Sequence, residues 1–528
     1  MRLGVGIETR GLKSRLDLTH LGERLSDGET FGLFAEGISR SELRAAVRAH
    51  GIEALVMAGR DEKRLGAMAE DALHASGADR FAARVVNLHE LCAYIHPRQE
   101  ATEKAVLLLS AAMAAVRQYK WLRPANIRLR LGHDGGHLSR RDLLTLPSLA
   151  FEVIPAVVED RCTAYRGCNL CEATCPAGAI SIEDGIAHVQ MQRCRNCGAC
   201  LAACPVGAVD HPFYRRGVVD AALAALLANG EDGRPRIVAF ACPGAMDTLR
   251  QAGQRRLTYP PSILPLKVPC AAFLDWYPVL GAIDRGASGA AVLACGAACR
   301  HGCSPDPVAH RFSALGRLLD ACGLGKARLA VVAEDSADGL VAELNALAEK
   351  VSSLPRQVSV ERPCDQDARA GRLPALLLSL CQRLGVSEEL SLADEGLPFG
   401  QVRVDESRCS LCGLCADRCP TGALRYEESS QEANLLFRAA DCTGCGLCTA
   451  ACPEDCLRVE RRLDLASLSG GARTLKADAL SRCRQCGRPY APRAMLRRVA
   501  AQLREPSLRL TGRCPDCRMV AGAAGQKR

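Results

Sequence analysis

The feature that most constrains this chain is a closely spaced run of four cysteines in its C-terminal third. The stretch 408–424, RCSLCGLCADRCPTGAL, has the spacing C-x2-C-x2-C-x3-C followed by proline, and its four cysteines are Cys409, Cys412, Cys415 and Cys419. Two residues between thiolates allow one tight loop to wrap three corners of a cubane cluster, and the Cys-Pro step leads the chain away toward a partner cluster. A structural zinc site rarely needs three such cysteines plus Cys-Pro. The run therefore predicts [4Fe-4S] ligation.

Three further copies of this pattern occur, and they pair into two ferredoxin-like dicluster modules. One copy lies just downstream, and its cysteines are Cys442, Cys445, Cys448 and Cys452. Two copies lie far upstream, with Cys162, Cys168, Cys171 and Cys175, and with Cys194, Cys197, Cys200 and Cys204. Cys162 precedes Cys168 by five intervening residues, which enlarges the loop without removing a ligand. We expect modules at 159–212 and 401–461.

In two-cluster ferredoxins the fourth cysteine of each run ligates the other cluster. This rule predicts four sets of ligands, one for each of four [4Fe-4S] clusters. The upstream sets are Cys162, Cys168, Cys171 with Cys204, and Cys194, Cys197, Cys200 with Cys175. The downstream sets are Cys409, Cys412, Cys415 with Cys452, and Cys442, Cys445, Cys448 with Cys419. Cys456 is left over and is interpreted as a structural thiol.

Most of the thirty cysteines of this chain cluster in metal-ligand spacings, which indicates a reducing compartment rather than disulfides. The N-terminus shows no apolar signal region, and no apolar run is long enough to span a bilayer, so we expect a cytoplasmic protein without a membrane span. The formal charge is +9. Each oxidised four-thiolate cluster carries roughly −2, so four clusters bring the balance close to neutral. Net charge therefore gives no argument for a nucleic-acid partner.

Residues 1–120 alternate apolar strands with amphipathic helices, which predicts a parallel α/β domain. Strands are expected at 30–35, 52–58 and 82–88. No G-x-G-x-x-G closes a strand–helix turn, so neither a flavin nor an NAD site is expected. The segment 37–117, including NLHELCAYIHPRQEATEKA, resembles the N-terminal domain of the heterodisulfide reductase A family. That resemblance implies cluster cysteines, but only Cys92 matches one, so we interpret the domain as a degenerate docking or structural unit.

Residues 235–352 predict a second parallel α/β domain, in which three of four apolar strands end on Cys242, Cys270 and Cys295. Carboxyl ends of parallel strands share one sheet edge, and Cys299 and Cys303 follow closely, so a metal site is plausible there.

The stretches IVAFACPGAMD, LTYPPSILPLKVPCAAFLD and DRGASGAAVLACGAACRHGC resemble the delta subunit of methyl-viologen-reducing hydrogenase. The resemblance implies a [2Fe-2S] cluster and electron transfer to a heterodisulfide reductase-like partner. The chain departs from that family where a C-x-x-C is reduced to Cys242 alone and in the spacing of its last cysteines. A set of inert buried thiols is the alternative. Cys322, Cys364 and Cys381 are interpreted as core residues.

Linkers are expected at 121–158 and 356–400. In the first, His133, Asp134 and His137 lie in a glycine-rich stretch that favours a solvated loop over a metal site. The tail, 478–520, has two C-x-x-C pairs that predict a zinc-ribbon-like site at Cys483, Cys486, Cys514 and Cys517. An additional iron–sulfur site is the alternative. Seven arginines of the tail suggest a basic docking face for an acidic redox partner, with nucleic acid or solvent as the other interpretations: Arg482, Arg484, Arg488, Arg493, Arg497, Arg498 and Arg504.

Together these patterns predict a multidomain α/β and α+β protein with two dicluster modules, two parallel α/β domains and a zinc-ribbon-like tail. The favoured function is that of an electron-relay subunit between a dehydrogenase, of hydrogenase or formate dehydrogenase type, and another redox partner such as a flavoprotein. A self-contained enzyme is disfavoured, because only one-electron carriers are visible in the sequence. An iron–sulfur scaffold or nucleic-acid-associated protein is the remaining alternative.

Overall fold

The computed structural model describes residues 1–26, 30–119, 127–131, 149–228, 234–296, 299, 301–303, 305–355, 372–502 and 512–519. These residues form two compact units. The first comprises 1–162, 170–183 and 187–380, and the second comprises 163–169, 184–186 and 381–528. The short segment 163–169, which carries Cys168, thus belongs to the second unit. The histidines and aspartate of the predicted glycine-rich loop, together with Cys364 and Arg504, lie outside the described residues.

The first unit begins with a four-stranded parallel sheet in the order β2-β1-β3-β4. Its strands are β1 (Leu3–Glu8), β2 (Thr30–Ala35), β3 (Ala54–Ala58) and β4 (Ala83–Val86). Its helices are α1 (Leu18–Leu25), α2 (Arg40–His50), α3 (Glu62–Ala75) and α4 (Arg98–Arg117), with one π-helical turn at His89–Ala93. The strand β1 was not predicted, and it occupies an inner position. β2, expected to be buried, is only partly so.

A second parallel sheet follows later in the same unit, in the order β12-β11-β13-β14. Its strands are β11 (Ile237–Ala241), β12 (Ile263–Lys267), β13 (Gly289–Ala294) and β14 (Leu329–Ala333). The strand order matches that of the first sheet. The two inner strands, β11 and β13, are buried at every residue, because helices cover both faces of a parallel sheet.

Five helices belong to this part of the first unit, together with two 3-10 turns. The helices are α7 (Arg216–Leu227), α8 (Pro243–Gln254), α9 (Trp276–Asp284), α10 (Asp306–Ala321) and α11 (Ala337–Ser352). The turns are Ala271–Phe273 and Lys326–Arg328. The helix α8 begins directly after the inner strand β11, with Cys242 as its N-cap residue.

The first cysteine-rich module follows the first sheet and precedes the second along the chain, and it is built from short elements. The strands β5 (Ile127–Leu131) and β6 (Leu149–Val153) form a hairpin, β7 (Ala156–Val157) pairs with β10 (Val209–Asp210), and β8 (Ile180–Glu183) pairs with β9 (Ile186–Val189). Two short helices, α5 (Leu170–Thr174) and α6 (Ala199–Ala203), follow its cysteine loops. The segment predicted as a linker at 121–158 therefore contains strands. Arg128 of β5 donates hydrogen bonds to the carbonyls of Met191 and Cys194.

The second unit contains the downstream module and the tail. Its first sheet has the order β15-β19-β16, from β15 (Ser391–Ala393), β16 (Gly400–Val404) and β19 (Leu457–Asp464). Its second sheet has the order β17-β18-β20-β21, from β17 (Leu424–Glu428), β18 (Glu432–Phe437), β20 (Arg473–Arg482) and β21 (Pro489–Pro492). The division between the units falls within helix α12 (Arg372–Arg383), of which residues 372–380 belong to the first unit. The helices α13 (Leu414–Asp417), α14 (Leu447–Ala450), α15 (Leu465–Ser469) and α16 (Arg493–Gln502) belong to the second unit.

The structure differs from the expected linker at 356–400, because helix α12 and strand β15 both fall inside it. β15 pairs with β19, so residues 391–393 are part of the second unit's sheet rather than a connection. The general expectation of a mixed α/β, multidomain chain with parallel sheets is confirmed. Among the helices that the structure describes, none has the length and apolarity needed to cross a bilayer.

Candidate iron–sulfur and metal centres

The downstream module has a cavity to whose wall five cysteines contribute. Its lining includes Cys409, Cys412, Cys415 and Cys452. The loop that carries Cys409, Cys412 and Cys415 bends sharply, because Leu411 and Gly413 on either side of Cys412 adopt left-handed backbone angles, with φ of 55° and 79°. The four thiols of the predicted ligand set, which share this cavity with Cys456, match the donor set of a [4Fe-4S] cluster, so the residues present fit that group.

The second cysteine set of this module lies beside Cys419, which comes from the other run. Burial raises the pKa of Cys442 to about 12, and the neighbouring Cys419 and Cys448 act in the same direction. Burial likewise raises the pKa of Cys448 to about 12, again with Cys419 and Cys445 beside it. Thiolates packed this closely repel one another unless a cation binds them, which is what ligation to iron provides. The structure thus groups sulfurs across the two runs, and their assignment as ligands stays a prediction.

The upstream module shows the same cross-run grouping. Its core contains Cys171 and Cys200, with Cys162, Cys175 and Cys204 packed against it. Burial raises the pKa of Cys200 well above its usual range, and the sulfurs beside it include Cys197, Cys194 and Cys175.

Backbone amides point at the sulfurs of this module. Ala179 donates its N–H to Cys175 Sγ at 3.2 Å, and Ala208 donates to Cys204 Sγ at 3.1 Å. Asn196 donates to Cys194 Sγ at 3.4 Å. Hydrogen bonds of this kind stabilise a thiolate over a thiol, so the local backbone favours metal-binding sulfurs.

In the central α/β domain, Cys242 and Cys295 follow the neighbouring strands β11 and β13 and approach each other at one sheet edge. Gly244 lies between them: a Cβ added there would be 3.8 Å from Cys295 Sγ and 3.9 Å from Cys242 Sγ. Burial raises the pKa of Cys295, and the adjacent Cys242 and Cys299 add to that shift. Three of the five predicted central cysteines therefore lie together.

The other two central cysteines lie against the upstream dicluster module. Cys197 and Cys270 are both buried in one small cluster, and Cys303 packs against it. A hydrogen bond from Cys303 lowers the pKa of Cys197 to about 6. Cys303 and, less strongly, Cys299 hydrogen-bond to Cys270 and lower its pKa, although burial opposes this. A sulfur of a ferredoxin-type loop is thus in contact with sulfurs of the central domain, which the sequence pattern alone did not reveal.

The same loop is seated on the central domain by its backbone. Gly198 has a φ of 76°, and a Cβ added there would be 3.1 Å from Pro269 and 3.2 Å from the Phe273 Cβ. Arg195 Nη1 donates to the carbonyl of His301 at 3.2 Å. Only glycine allows this close approach at this backbone angle. The loop therefore packs tightly beside the segment that carries Cys303.

The tail brings its four cysteines into one group. The Sγ atoms of Cys483, Cys486, Cys514 and Cys517 all lie within 4.8 Å of one another. Cys486 Sγ and Cys514 Sγ are 3.7 Å apart, close to the separation of about 3.8 Å that Zn–S bonds of about 2.3 Å impose on a tetrahedron. These residues fit a tetrahedral metal ion, and zinc remains the predicted one.

The tail arginines are partly engaged within the second unit. Arg498 pairs with Glu454 at 2.7 Å, and Arg488 pairs with Asp516 at 3.0 Å. The basic face predicted for docking is therefore smaller than the count of arginines suggests.

The N-terminal α/β domain buries Cys92 completely, in the π-helical turn. Burial raises the pKa of this thiol to about 12, although the Lys104 ammonium opposes the shift. Such a thiol stays protonated, as expected for a packing residue. Cys322 and Cys381 are also buried, as predicted for core residues.

Comparison with known protein families is consistent with this geometry. Residues 161–208 and 402–459 each match a 4Fe-4S dicluster domain, and residues 237–355 match the methyl-viologen-reducing hydrogenase delta subunit. These three matched ranges do not include the N-terminal α/β domain, and its resemblance to heterodisulfide reductase stays a prediction. No curated protein matches the chain significantly. The chain therefore carries two 4Fe-4S dicluster domains and a domain of the hydrogenase delta-subunit type, which together support a role in iron–sulfur electron transfer.

Proposed function

We propose that this protein is an electron-relay subunit of an oxidoreductase complex. It would move single electrons between a dehydrogenase, of hydrogenase or formate dehydrogenase type, and a second redox partner such as a flavoprotein. The observation that carries this proposal is the contact of Cys197 with Cys303 and Cys270. Iron–sulfur clusters, when bound, supply one-electron transfer over a wide range of potentials.

The contact matters because the rate of electron transfer between two cofactors rises as the distance between them falls, so adjacent ligands favour it. Cys197 belongs to the upstream dicluster domain, and Cys270 belongs to the hydrogenase delta-type domain. The Cys270 side chain is hydrogen-bonded to Cys299. The Cys295 side chain is hydrogen-bonded to both Cys299 and Cys242. A continuous line of sulfur therefore connects two domains that both belong to electron-transfer families. A protein that used its clusters only as structural supports would not need this line.

The central domain offers five thiols for the four ligand positions of a [2Fe-2S] cluster: Cys242, Cys270, Cys295, Cys299 and Cys303. Such a cluster would give the delta-type domain its own one-electron carrier. Two-electron chemistry would then lie on the partner subunits, which we expect to include the dehydrogenase. A cytoplasmic location is part of the same proposal.

Partner-dependent turnover tests the proposal. The protein is purified anaerobically and assayed with hydrogen, formate or NADH, alone and with proteins that co-elute from the native host. We expect clusters that dithionite reduces, no turnover by the chain alone, and turnover once a co-eluting dehydrogenase is added. Replacing Cys194 or Cys442 with serine should lower that turnover, whereas replacing the buried Cys322 with alanine should not. Co-elution with nucleic acid and no redox protein would contradict the relay.

A further inference from the structure

We propose that Cys456 is a reserve ligand for the downstream cluster site, able to replace Cys452 as the fourth sulfur beside Cys409, Cys412 and Cys415. The inference rests on the proposed function, because it requires that this site holds a cluster. It comes from a comparison of the four cysteine runs with one another and from the contacts that Cys456 makes.

Each run ends in the same five-residue turn. After the fourth cysteine come a proline, a variable residue, a residue with left-handed backbone and a buried residue. In three runs the left-handed residue is glycine, with φ of 53°, 63° and 71° at Gly178, Gly207 and Gly422. The buried residue that follows is alanine in all three runs: Ala179, Ala208 and Ala423.

The fourth run departs from this rule at both positions. Asp455 takes the place of glycine, with φ of 44°, and Cys456 takes the place of alanine. Cys456 is buried like its alanine counterparts, with 5% of its surface exposed. In the three other runs, an alanine side chain is enough to fill this buried position. The thiol at Cys456 therefore adds a chemical group at a position where packing does not require one.

The added thiol points at the cluster site. Cys456 Sγ lies 3.4 Å from Cys452 Sγ, and it also reaches Cys409, the first cysteine of the opposite run. Cys456 lines the same cavity as the four predicted ligands. A sulfur in contact with two ligand sulfurs, at the wall of the cavity that they share, can reach an iron corner with a small rotation of its side chain.

The backbone holds Cys456 in place independently of Cys452. The carbonyl of Cys456 accepts a hydrogen bond from the Asp405 N–H at 2.9 Å, and the next residue begins strand β19. Cys452, in contrast, lies in the turn that follows the short helix α14. The reserve sulfur would thus remain in position when the side chain of Cys452 is removed or displaced.

The exchange is a ligand substitution and needs no oxidant. The bond between iron and Cys452 sulfur breaks, and a bond between the same iron and Cys456 sulfur forms. The proton that the Cys456 thiol loses is balanced by the proton that the released Cys452 thiolate gains. No electron is gained or lost in this step.

Five full-length variants, reconstituted anaerobically beside the unaltered protein, test the inference through bound iron and the electron paramagnetic resonance spectrum of the reduced state. Cys452→Ala should keep the iron content of the unaltered protein but with a changed spectrum, because the fourth ligand has moved. The double variant Cys452→Ala, Cys456→Ala should lose about four irons, the content of one cubane. Cys456→Ala alone should keep all iron.

The sister run supplies a matched control. In that run the position equivalent to Cys456 is occupied by Ala423, which cannot replace a lost ligand. Cys419→Ala should therefore lose about four irons. Adding Ala423→Cys to that variant should restore them if the position itself confers the rescue.

The inference is overturned if Cys452→Ala loses as much iron as the double variant, or if Cys456→Ala alone loses a cluster. The first result would mean that Cys456 is only a packing thiol. The second would mean that Cys456, and not Cys452, is the regular fourth ligand. If the unaltered protein binds no iron at this module, the proposed function itself is wrong. The spectrum of the unaltered protein, which would then lack the signal of this module, distinguishes that result from a failure of the reserve ligand alone.

Discussion

At the residue scale, the cysteine loops depend on backbone angles that most side chains avoid. The residue before the second cysteine is left-handed in all four runs, at Gly167, Asn196, Leu411 and Gly444, with φ of 83°, 57°, 55° and 66°. A buried leucine in this region is unusual and costs free energy of order 1–3 kcal/mol. Its persistence at Leu411 indicates that the surrounding loop, and the cluster it would bind, fix the conformation.

The first residue-scale prediction concerns the crossed ligand sets. Replacing Cys419 with serine should damage the cluster bound by Cys442, Cys445 and Cys448, because Cys419 lies beside Cys442 and Cys448. The cluster at Cys409, Cys412 and Cys415 should remain. Iron content together with the electron paramagnetic resonance signals of single-cluster variants distinguishes the two. Loss of the second cluster instead would reject the crossed sets.

The grouping of the cysteines within each dicluster module could be predicted from the sequence, because the spacing C-x2-C-x2-C-x3-C fixes which sulfurs lie near one cubane. The contact of Cys197 with Cys303 could not, because it joins residues about one hundred positions apart through tertiary packing. The spacing of Cys456 from Cys452 fits no ligand pattern, so the sequence favours a structural thiol there. Alignment of the four runs with one another shows that it replaces an alanine.

At the element scale, the two parallel sheets have the same strand order, and each crossover uses helices that cover the sheet on both sides. Alternation of apolar strands and amphipathic helices was enough to predict parallel α/β domains. The sequence was less informative where strands are short. The elements β5, β6, β7 and β15 fell in segments expected to be linkers, because two- to five-residue strands carry too little periodicity to identify.

An element-scale prediction tests the packing of the Cys197 loop on the central domain. Gly198→Ala should destabilise the protein and weaken this contact, because its Cβ would approach Pro269 and Phe273 at 3.1 and 3.2 Å. Gly446→Ala is the matched control: it has the same place in its run and a φ of 78°, but its nearest neighbour is 3.8 Å away. Both variants suffer backbone strain of order 1–3 kcal/mol.

The difference between these two variants therefore reports the packing contact alone. Thermal unfolding should show a larger loss for Gly198→Ala, and only this variant should speed loss of iron from the upstream module. Equal losses in the two variants would mean that the loop does not rest on the central domain.

A second element-scale prediction concerns the tail. The group of Cys483, Cys486, Cys514 and Cys517 should bind one zinc ion per chain. Elemental analysis of the full protein checks this, and serine at Cys483 and Cys486 should abolish the zinc while leaving the iron of the dicluster modules. A small segment without a large core should also lose structure under chelation. Iron at this site, in place of zinc, would contradict the assignment.

At the scale of the whole molecule, the chain combines two 4Fe-4S dicluster domains with a domain of the hydrogenase delta-subunit type. Two intact dicluster modules should hold about sixteen irons, and a central [2Fe-2S] cluster should raise the count to about eighteen. Iron and acid-labile sulfide in anaerobically purified protein check this prediction. A count near eight would mean that one module does not assemble its clusters.

The central claim is that the upstream dicluster domain and the delta-type domain exchange electrons through adjacent sulfurs. The most direct measurement is electron paramagnetic resonance of the fully reduced protein, compared with a Cys242→Ala, Cys295→Ala variant that removes the central site. Because Cys197 contacts Cys303 and Cys270, we predict an additional broadening of the upstream signal, beyond the spin coupling between the two clusters of that module, that is lost in the variant while the upstream iron is retained. A Cys322→Ala variant should keep the broadened signal. An upstream signal that is unchanged when the central site is removed would contradict the account.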